Sequence, residues 1–319
     1  MGYNIPILFV CFKRFEAVKQ SFECIRRVKP QKLYVVSDGA RDDVEGEYEQ
    51  VEACRTYIKA MIDWPCELHT DYRDENKGCG PGMYEAICWF FTQEEMGVVL
   101  EDDCVVQSSF FKFMEEMLIK YKDDSRIGLV AGFNGVENDI CMPWSYCFSR
   151  YKATWGWGSW RRAWSQMDYH MNWRRSPLCE SVIENMGFRS KDVRYWKHRI
   201  KLIDKQEVSA WDWQWFFSMA CQHQLTIFPC VSLVSNVGFG EGATHTGIIW
   251  GRPKLAKADI QFPLIHPEYI CPFVEFDRKY YRYNNSLYDT INRYVPLFIK
   301  HFVKRVLQIS ACSLLYLLL

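Results

Sequence analysis

Residues 5–12 read IPILFVCF, an apolar run of strand length with no polar break. A strand with one face in water would alternate apolar and polar side chains, so an unbroken run marks a strand covered on both faces. That single requirement commits the chain to a layered architecture with helices on each side of a sheet. The next stretches agree. A helical pattern runs from about Glu16 to Arg27 and is closed by Lys29-Pro30, after which KLYVVSD forms a second strand ending at Asp38-Gly39. A charged helix from about Asp43 to Met61 leads to a short strand near Cys66–Thr70. The loop YRDENKGCGPG then precedes a helix over roughly 82–95, and GVVLEDD is a further strand. Alternating strands and helices imply α/β class with a mainly parallel sheet and right-handed crossovers. Ligands in such sheets bind beyond the carboxyl ends of the strands. Asp38, the loop at 72–80 and Glu101-Asp102-Asp103 are all expected at that edge.

The second half is less regular and rich in tryptophan. Strand patterns recur at 127–131 (IGLVA) and 145–148 (SYCF), followed by ATWGWGSWRRAW, a polar and basic helical stretch over about 179–205, and AWDWQWFFSMACQ. Residues 225–235 read as a strand or two leading into SNVGFGEGATHT. No Pro/Gly/Ser linker separates the halves, so residues 1–270 are expected to form one catalytic unit and 271–319 a tail. From Thr290 onward the tail has no acidic residue, and Arg293, Lys300, His301, Lys304 and Arg305 accumulate. On a helix, Val295, Phe298, Ile299, Phe302, Val306 and Ile309 share one face, with the basic residues mainly on another. The terminal Leu314–Leu319 stretch falls short of the roughly 20 apolar residues a bilayer crossing takes. A basic amphipathic helix of this kind suits an anionic membrane interface, the alternative being a helix packed on its own domain.

Hydrophobic residues make up 49% and aromatics 16% of the chain, which excludes disorder, while 39 Lys+Arg balance 39 Asp+Glu and argue against a nucleic-acid partner. The 14 cysteines include no CxxC pair, and several, such as Cys11, Cys88, Cys104 and Cys221, sit inside apolar runs. They read as reduced core residues. With no signal peptide ahead of the first strand, the expected location is the cytoplasm, peripherally on the inner face of the cell membrane.

Glu101-Asp102-Asp103 after a buried strand is the most informative motif. Adjacent carboxylates repel one another, and a hard cation such as Mn²⁺ or Mg²⁺ would offset that repulsion while binding substrate phosphates. They would equally serve as favourable charges ahead of a helix starting near Ser108. Asp38-Gly39 suits either a ribose or base contact or a simple turn. Asn76 to Gly82 (NKGCGPG) supplies glycines that let backbone N–H groups approach a phosphate ahead of a helix. Asp212, within WDWQW, is the candidate catalytic base, since neighbouring indoles desolvate a carboxylate and make it a better proton acceptor. It also fits an ordinary helix cap. The tryptophans offer faces for a sugar, although Trp155-Gly156-Trp157-Gly158 fits a packed aromatic cluster nearly as well. His245 in ATHT is a candidate metal ligand or a hydrogen-bonded structural residue.

In this order, IPILFVCFKR, Asp38, LEDD at 100–103, TWGWGSWRRAW, WDWQW and NVGFGEGATHT resemble the GT-A class of nucleotide-sugar glycosyltransferases. The likeness is to the N-acetylglucosaminyltransferase I-like branch, in a bacterial form, and covers about residues 4–250. It implies a Rossmann-like GT-A sheet, a metal on Asp103 with His245 as a further candidate, and Asp212 as base. Arg14, Asp38, Asn76, Gly78, Glu101 and Asp102 would contact the nucleotide-sugar. Trp157, Trp211, Trp213 and Glu241 would line the sugar and acceptor pocket. The implied activity is inverting, metal-dependent transfer of a hexosyl or N-acetylhexosaminyl unit from a nucleotide-sugar, expected to be UDP-linked, to a hydroxyl of a surface-glycan or lipid-linked acceptor. Two alternatives fit less of the pattern. A sugar-1-phosphate nucleotidyltransferase would carry a glycine-rich loop after the first strand, where Phe12-Lys13-Arg14-Phe15 has none. A non-catalytic membrane- or glycan-binding protein gives no reason for the acidic triplet.

Overall fold

The computed structural model of the chain describes residues 2–187, 189–238 and 258–285. The elements in order are β1 (Ile7–Cys11), α1 (Phe15–Val28), β2 (Lys32–Ser37), α2 (Glu47–Met61), β3 (Glu67–Tyr72), α3 (Cys79–Gln93) and β4 (Met96–Glu101). Then come β5 (Cys104–Val106), α4 (Ser108–Lys120), β6 (Ile127–Ala131), β7 (Tyr146–Ser149), β8 (Trp157–Trp160) and α5 (Arg161–Trp164). The remainder is α6 (Cys179–Glu184), α7 (Ser190–Asp204), α8 (Asp212–Cys221), β9 (Leu225–Pro229), β10 (Val234–Asn236) and α9 (Val274–Asn284).

Among the described residues, the main sheet has 8 strands in the order β3-β2-β1-β4-β8-β6-β9-β7. β1 is parallel to β2 and β4, β2 to β3, and β6 to β9, whereas β8 and β7 run antiparallel to their neighbours. The mixed α/β class with a mainly parallel sheet is therefore what the apolar runs predict. The reason is visible in β1. Ile7 and Phe9 pack into one apolar layer with Val18 and Phe22 of α1, while Leu8 packs into the other with Ile87 and Phe90 of α3. These side chains are all out of reach of water, and full burial of each stabilises by about 1.5–3 kcal/mol.

The second half departs from the sequence reading in several places. WGSW, to which the sequence reading gave no element, is β8, which joins β4 to β6 in the middle of the sheet, with Trp157 opposite Val99 and Ala131. Glycine is a poor strand former, yet Gly158 suits this place, because a Cβ would lie 3.1 Å from Leu118 of α4. Residues 225–235 separate into β9 and β10, and β10 leaves the main sheet to pair with β5. The helical stretch over 179–205 is two helices, α6 and α7. Finally, α9 falls in the segment read as the start of the tail. It packs on β7, burying Phe276 and Tyr280 and placing the Asp277 carboxylate 2.6 Å from the Ser149 hydroxyl. The packed body thus continues to Asn285. The basic helix predicted beyond Thr290 lies outside the described residues, among which no helix is long and apolar enough to cross a membrane. Every cysteine among the described residues is free, with Cys11, Cys54, Cys104 and Cys147 buried.

Candidate active site

The carboxyl ends of β1, β2 and β4 lie side by side, with Cys11 opposite Ser37 and Val10 opposite Glu101. The residues that follow each strand therefore share one edge. After β4 the three acids diverge. Asp102 turns inward and is 4% exposed. Its carboxylate meets the Arg14 guanidinium and accepts the Phe12 N–H at 3.3 Å, and its carbonyl accepts the Ser21 hydroxyl at 2.7 Å. Asp102 thus ties the end of β1 and the start of α1 to the end of β4, which leaves it no free face for a nucleotide-sugar. Asp103 is the more exposed of the two. One carboxylate oxygen, Oδ2, sits 2.9 Å from Arg14 Nη2, and the other is met by the Cys104 thiol, at 3.6 Å.

Glu101 is the last residue of β4 and is partly exposed. Burial, followed by the charges of Asp103, Asp102 and Asp212, pushes its pKa well above the usual carboxylate range. The Cys79 thiol, at the start of α3, is raised by burial and then by Glu101, Asp212 and Asp103, with Arg14 opposing. Arg14, Asp103 and Asp212 each act on both Glu101 and Cys79, which brings groups from the two halves of the chain within electrostatic range of one another. The contact that closes the site is at Gly80. Its N–H donates to Ser209 Oγ at 2.9 Å, and a Cβ there would come within 2.9 Å of the Ala210 carbonyl. The first turn of α3 is thereby seated on the residues immediately ahead of Trp211-Asp212.

Asp212 opens α8 and is partly exposed. Desolvation raises its pKa from 3.8 to about 6, against hydrogen bonds from backbone N–H groups of Trp213 and Asp212 and the charge of Arg199. A carboxylate so placed is ionised at neutral pH and a stronger base than one in water. It is the first residue of α8 and not its cap, a position Trp211 takes, so the capping reading is not met and the carboxylate only adds favourable charge to the first turn.

The remaining candidates sort by burial. Asp38 is spent on structure, since its two carboxylate oxygens accept the N–H groups of Lys77 at 2.9 Å and Gly78 at 3.0 Å. Asn76 Nδ2 donates to the Gly39 carbonyl at 2.8 Å. Together they fix the loop that delivers Cys79 and Gly80, and Gly78, at φ 76°, takes a left-handed turn that favours glycine. Asp38 and Asn76 thus shape the wall of the site, and both stay partly exposed. Trp157 and Trp211 correct the pocket assignment. Both are at most 3% exposed and stack on each other with ring centroids 5.7 Å apart. Each indole also packs against Trp164, so the packed aromatic cluster prevails. Trp213 is partly exposed and remains available. Glu241 and His245 lie outside the described residues.

Gly238 lies within NVGFGEGATHT, where nothing local sets it apart from the other glycines. The segment after β10 crosses the acidic pair: Val237 N–H donates to the Asp103 carbonyl at 2.8 Å, and Gly238 N–H to Asn236 Oδ1 at 2.8 Å. A Cβ on Gly238 would collide with the Asp103 carboxylate and come within 2.6 Å of Arg14 Nη1. The glycine therefore allows backbone to lie directly over the Arg14–Asp103 pair, and only that close approach marks it.

Among the described residues no three His, Cys, Asp or Glu side chains surround one point as a preformed metal cluster. Asp103, partly exposed and with one carboxylate oxygen on Arg14, is the residue that would hold a hard cation taking most of its ligands from phosphate and water.

No protein-family model matches the sequence, and no curated protein matches it. Solved structures overlap it at low identity. Mouse xyloside xylosyltransferase 1 in its apo form is 12% identical, with 68% of this chain and 81% of that chain covered and a TM-score of 0.31. A cytidylyltransferase from Leptospira borgpetersenii is 12% identical, covering 58% and 72% with a TM-score of 0.30. The glycosyltransferase GlyE of Streptococcus pneumoniae is 12% identical, covering 60% and 42% with a TM-score of 0.29. Overlaps at this level carry no argument about activity, which has to come from the site.

Proposed function

We propose that the chain is a nucleotide-sugar-dependent glycosyltransferase that transfers with inversion, using Asp212 as general base. The observation that carries this reading is that Asp212, Asp103 and Arg14, from opposite halves of the chain, all act on Glu101 and Cys79 at the carboxyl edge of the sheet, where the Gly80 N–H meets Ser209 Oγ at 2.9 Å. A desolvated base beside an anion-receiving cation and carboxylate is the division of labour that sugar transfer from a nucleotide requires.

Arg14 would meet the diphosphate of the donor, expected to be UDP-linked, under the cover of the Gly238 backbone. Asp103 would hold Mn²⁺ or Mg²⁺, which when bound neutralises charge on the leaving diphosphate. Burial and its acidic neighbours favour the protonated form of Glu101, the form that would donate a hydrogen bond to a phosphate or sugar oxygen. Asp212 would take the proton from the acceptor hydroxyl as that oxygen forms the new glycosidic bond and the nucleotide departs with the electrons of the old one. The acceptor is expected to be a surface glycan or lipid-linked sugar, reached with help from the basic segment beyond residue 290. A nucleotidyltransferase is the second reading. It would release pyrophosphate from a nucleoside triphosphate and have no use for a base with a pKa near 6 at Asp212. The discriminating assay mixes the protein with Mn²⁺, a panel of nucleotide-sugars and sugar acceptors, and measures free nucleoside diphosphate. Pyrophosphate release from a nucleoside triphosphate and sugar-1-phosphate, without diphosphate release from any nucleotide-sugar, would reverse the assignment.

A further inference from the structure

Beside Asp212 lies a second cation that the transfer reaction as described does not use. Arg199, on α7, has its guanidinium carbon 4.5 Å from the ring centre of Trp213 and 4.7 Å from that of Tyr195. Tyr195 is one helical turn earlier on α7, and Trp213 follows Asp212 directly, so the two rings bracket the guanidinium beside the base. The two cations are well separated in effect. Arg14 is the one felt at Glu101 and Cys79, and Arg199 the one felt at Asp212.

Arg199 has no ion pair or hydrogen bond among the described residues, and its Nε is buried without a partner. A guanidinium carries N–H donors around its edge and accepts nothing. Stacking on two rings satisfies its faces by cation–π attraction but leaves the edge donors unused. The Nε is enclosed, but Arg199 is partly exposed and its terminal nitrogens have no hydrogen-bond partner among the described residues, so they are the donors a ligand can reach. Trp213, Tyr195 and Arg199 are all partly exposed.

We propose that Arg199, clamped between Tyr195 and Trp213 next to Asp212, receives an oxyanion of the acceptor, so that the enzyme selects acceptors bearing a phosphate or carboxylate near the hydroxyl to be glycosylated. The planar fork of arginine matches both groups bidentately. Trp213 would supply a flat face for the adjoining sugar ring, since Trp157 and Trp211 of the expected pocket are buried in the aromatic cluster. This inference rests on the proposed role of Asp212.

The test is a set of binding titrations on the full-length protein, read by tryptophan fluorescence. The probes are N-acetylglucosamine 1-phosphate, methyl glucuronide and the neutral methyl N-acetylglucosaminide. Titration with UDP and Mn²⁺ runs alongside as a separate reading of the donor side. At least one anionic sugar should bind about tenfold or more tightly than the neutral one, the margin expected for a charge-assisted bidentate contact. Raising the salt concentration should reduce that margin. The phosphate and carboxylate arms identify which oxyanion the site prefers. Arg199→Met, which keeps the stem between the rings, should abolish the margin, Arg199→Lys should restore part of it, and UDP affinity should stay within about twofold in both. Equal binding of charged and neutral sugars by the wild type, no binding of either anionic sugar, or an undiminished margin in Arg199→Met overturns the proposal. Loss of UDP binding in the wild type would instead count against the donor site.

Discussion

Replacing Asp212 by asparagine should make the protein more stable and nearly inactive, and pH should separate the two effects. Desolvation raises the folded-state pKa of Asp212 from 3.8 to about 6. The fold therefore holds the proton more tightly than the unfolded chain does, and ionising the group costs stability. The sign follows: the penalty is absent below about pH 4, grows as pH rises, and is complete above about pH 6. At about 1.4 kcal/mol per pH unit between the two pKa values, it reaches about 3 kcal/mol at neutral pH. An asparagine side chain is neutral throughout and avoids the penalty. The variant should gain little at about pH 4 and up to about 3 kcal/mol at pH 8, a rise in Tm of roughly 4–5 °C for a chain of this size. Transfer should fall by about 10²–10⁴-fold, the usual worth of a general base. Thermal unfolding of both proteins across pH 4–8, with turnover measured on the same samples, is the assay. A variant that gains no more stability over the wild type at pH 8 than at pH 4 refutes the desolvation reasoning. One that keeps more than about a tenth of the activity refutes the base.

Gly238→Ala should weaken nucleotide-sugar binding by about tenfold or more in calorimetric titration while leaving Tm nearly unchanged, because its Cβ strikes the Arg14–Asp103 pair rather than the core. Asp38→Ala removes the acceptor for two N–H groups of the 76–82 loop and should cost about 1–3 kcal/mol in chemical denaturation. The pH profile of kcat/KM should fall with unit slope below about pH 6, as Asp212 takes up its proton, and Asp212→Asn should flatten that limb. Full-length protein should co-sediment with anionic liposomes, and a chain ending at residue 285, which retains α9, should not. Equal sedimentation would remove the membrane role of the basic segment.

The sheet was legible because its strands advertise themselves. IPILFVCF, KLYVVSD and GVVLEDD are buried on both faces, and nothing else those residues could form hides so much apolar surface. β8 was not, since Trp-Gly-Ser-Trp carries no run of β-branched residues, and only the closeness of Leu118 and Val234 explains why Gly158 in the strand and Gly156 just ahead of it are there. At the site, Asp103 and Asp212 could be read from carboxylates set at strand and helix ends amid apolar residues. What one dimension could not supply is direction. Asp102 and Asp103 are neighbours in sequence, yet one turns in to pin β1 and the other stays partly open at the sheet edge. Trp211 and Trp213 likewise divide between core and surface. Arg199 and Gly238 acquire meaning only from partners distant in the chain.

The most direct test of the donor site is ligand-induced thermal stabilisation by UDP, and by the other nucleoside diphosphates, with and without Mn²⁺, in the wild type and in Asp103→Asn. A nucleotide present at about 100 times its dissociation constant should stabilise the wild type by roughly 2.7 kcal/mol. That stabilisation should require the metal and vanish in the variant. Equal stabilisation of both proteins, or none of the wild type by any nucleotide, would contradict the account.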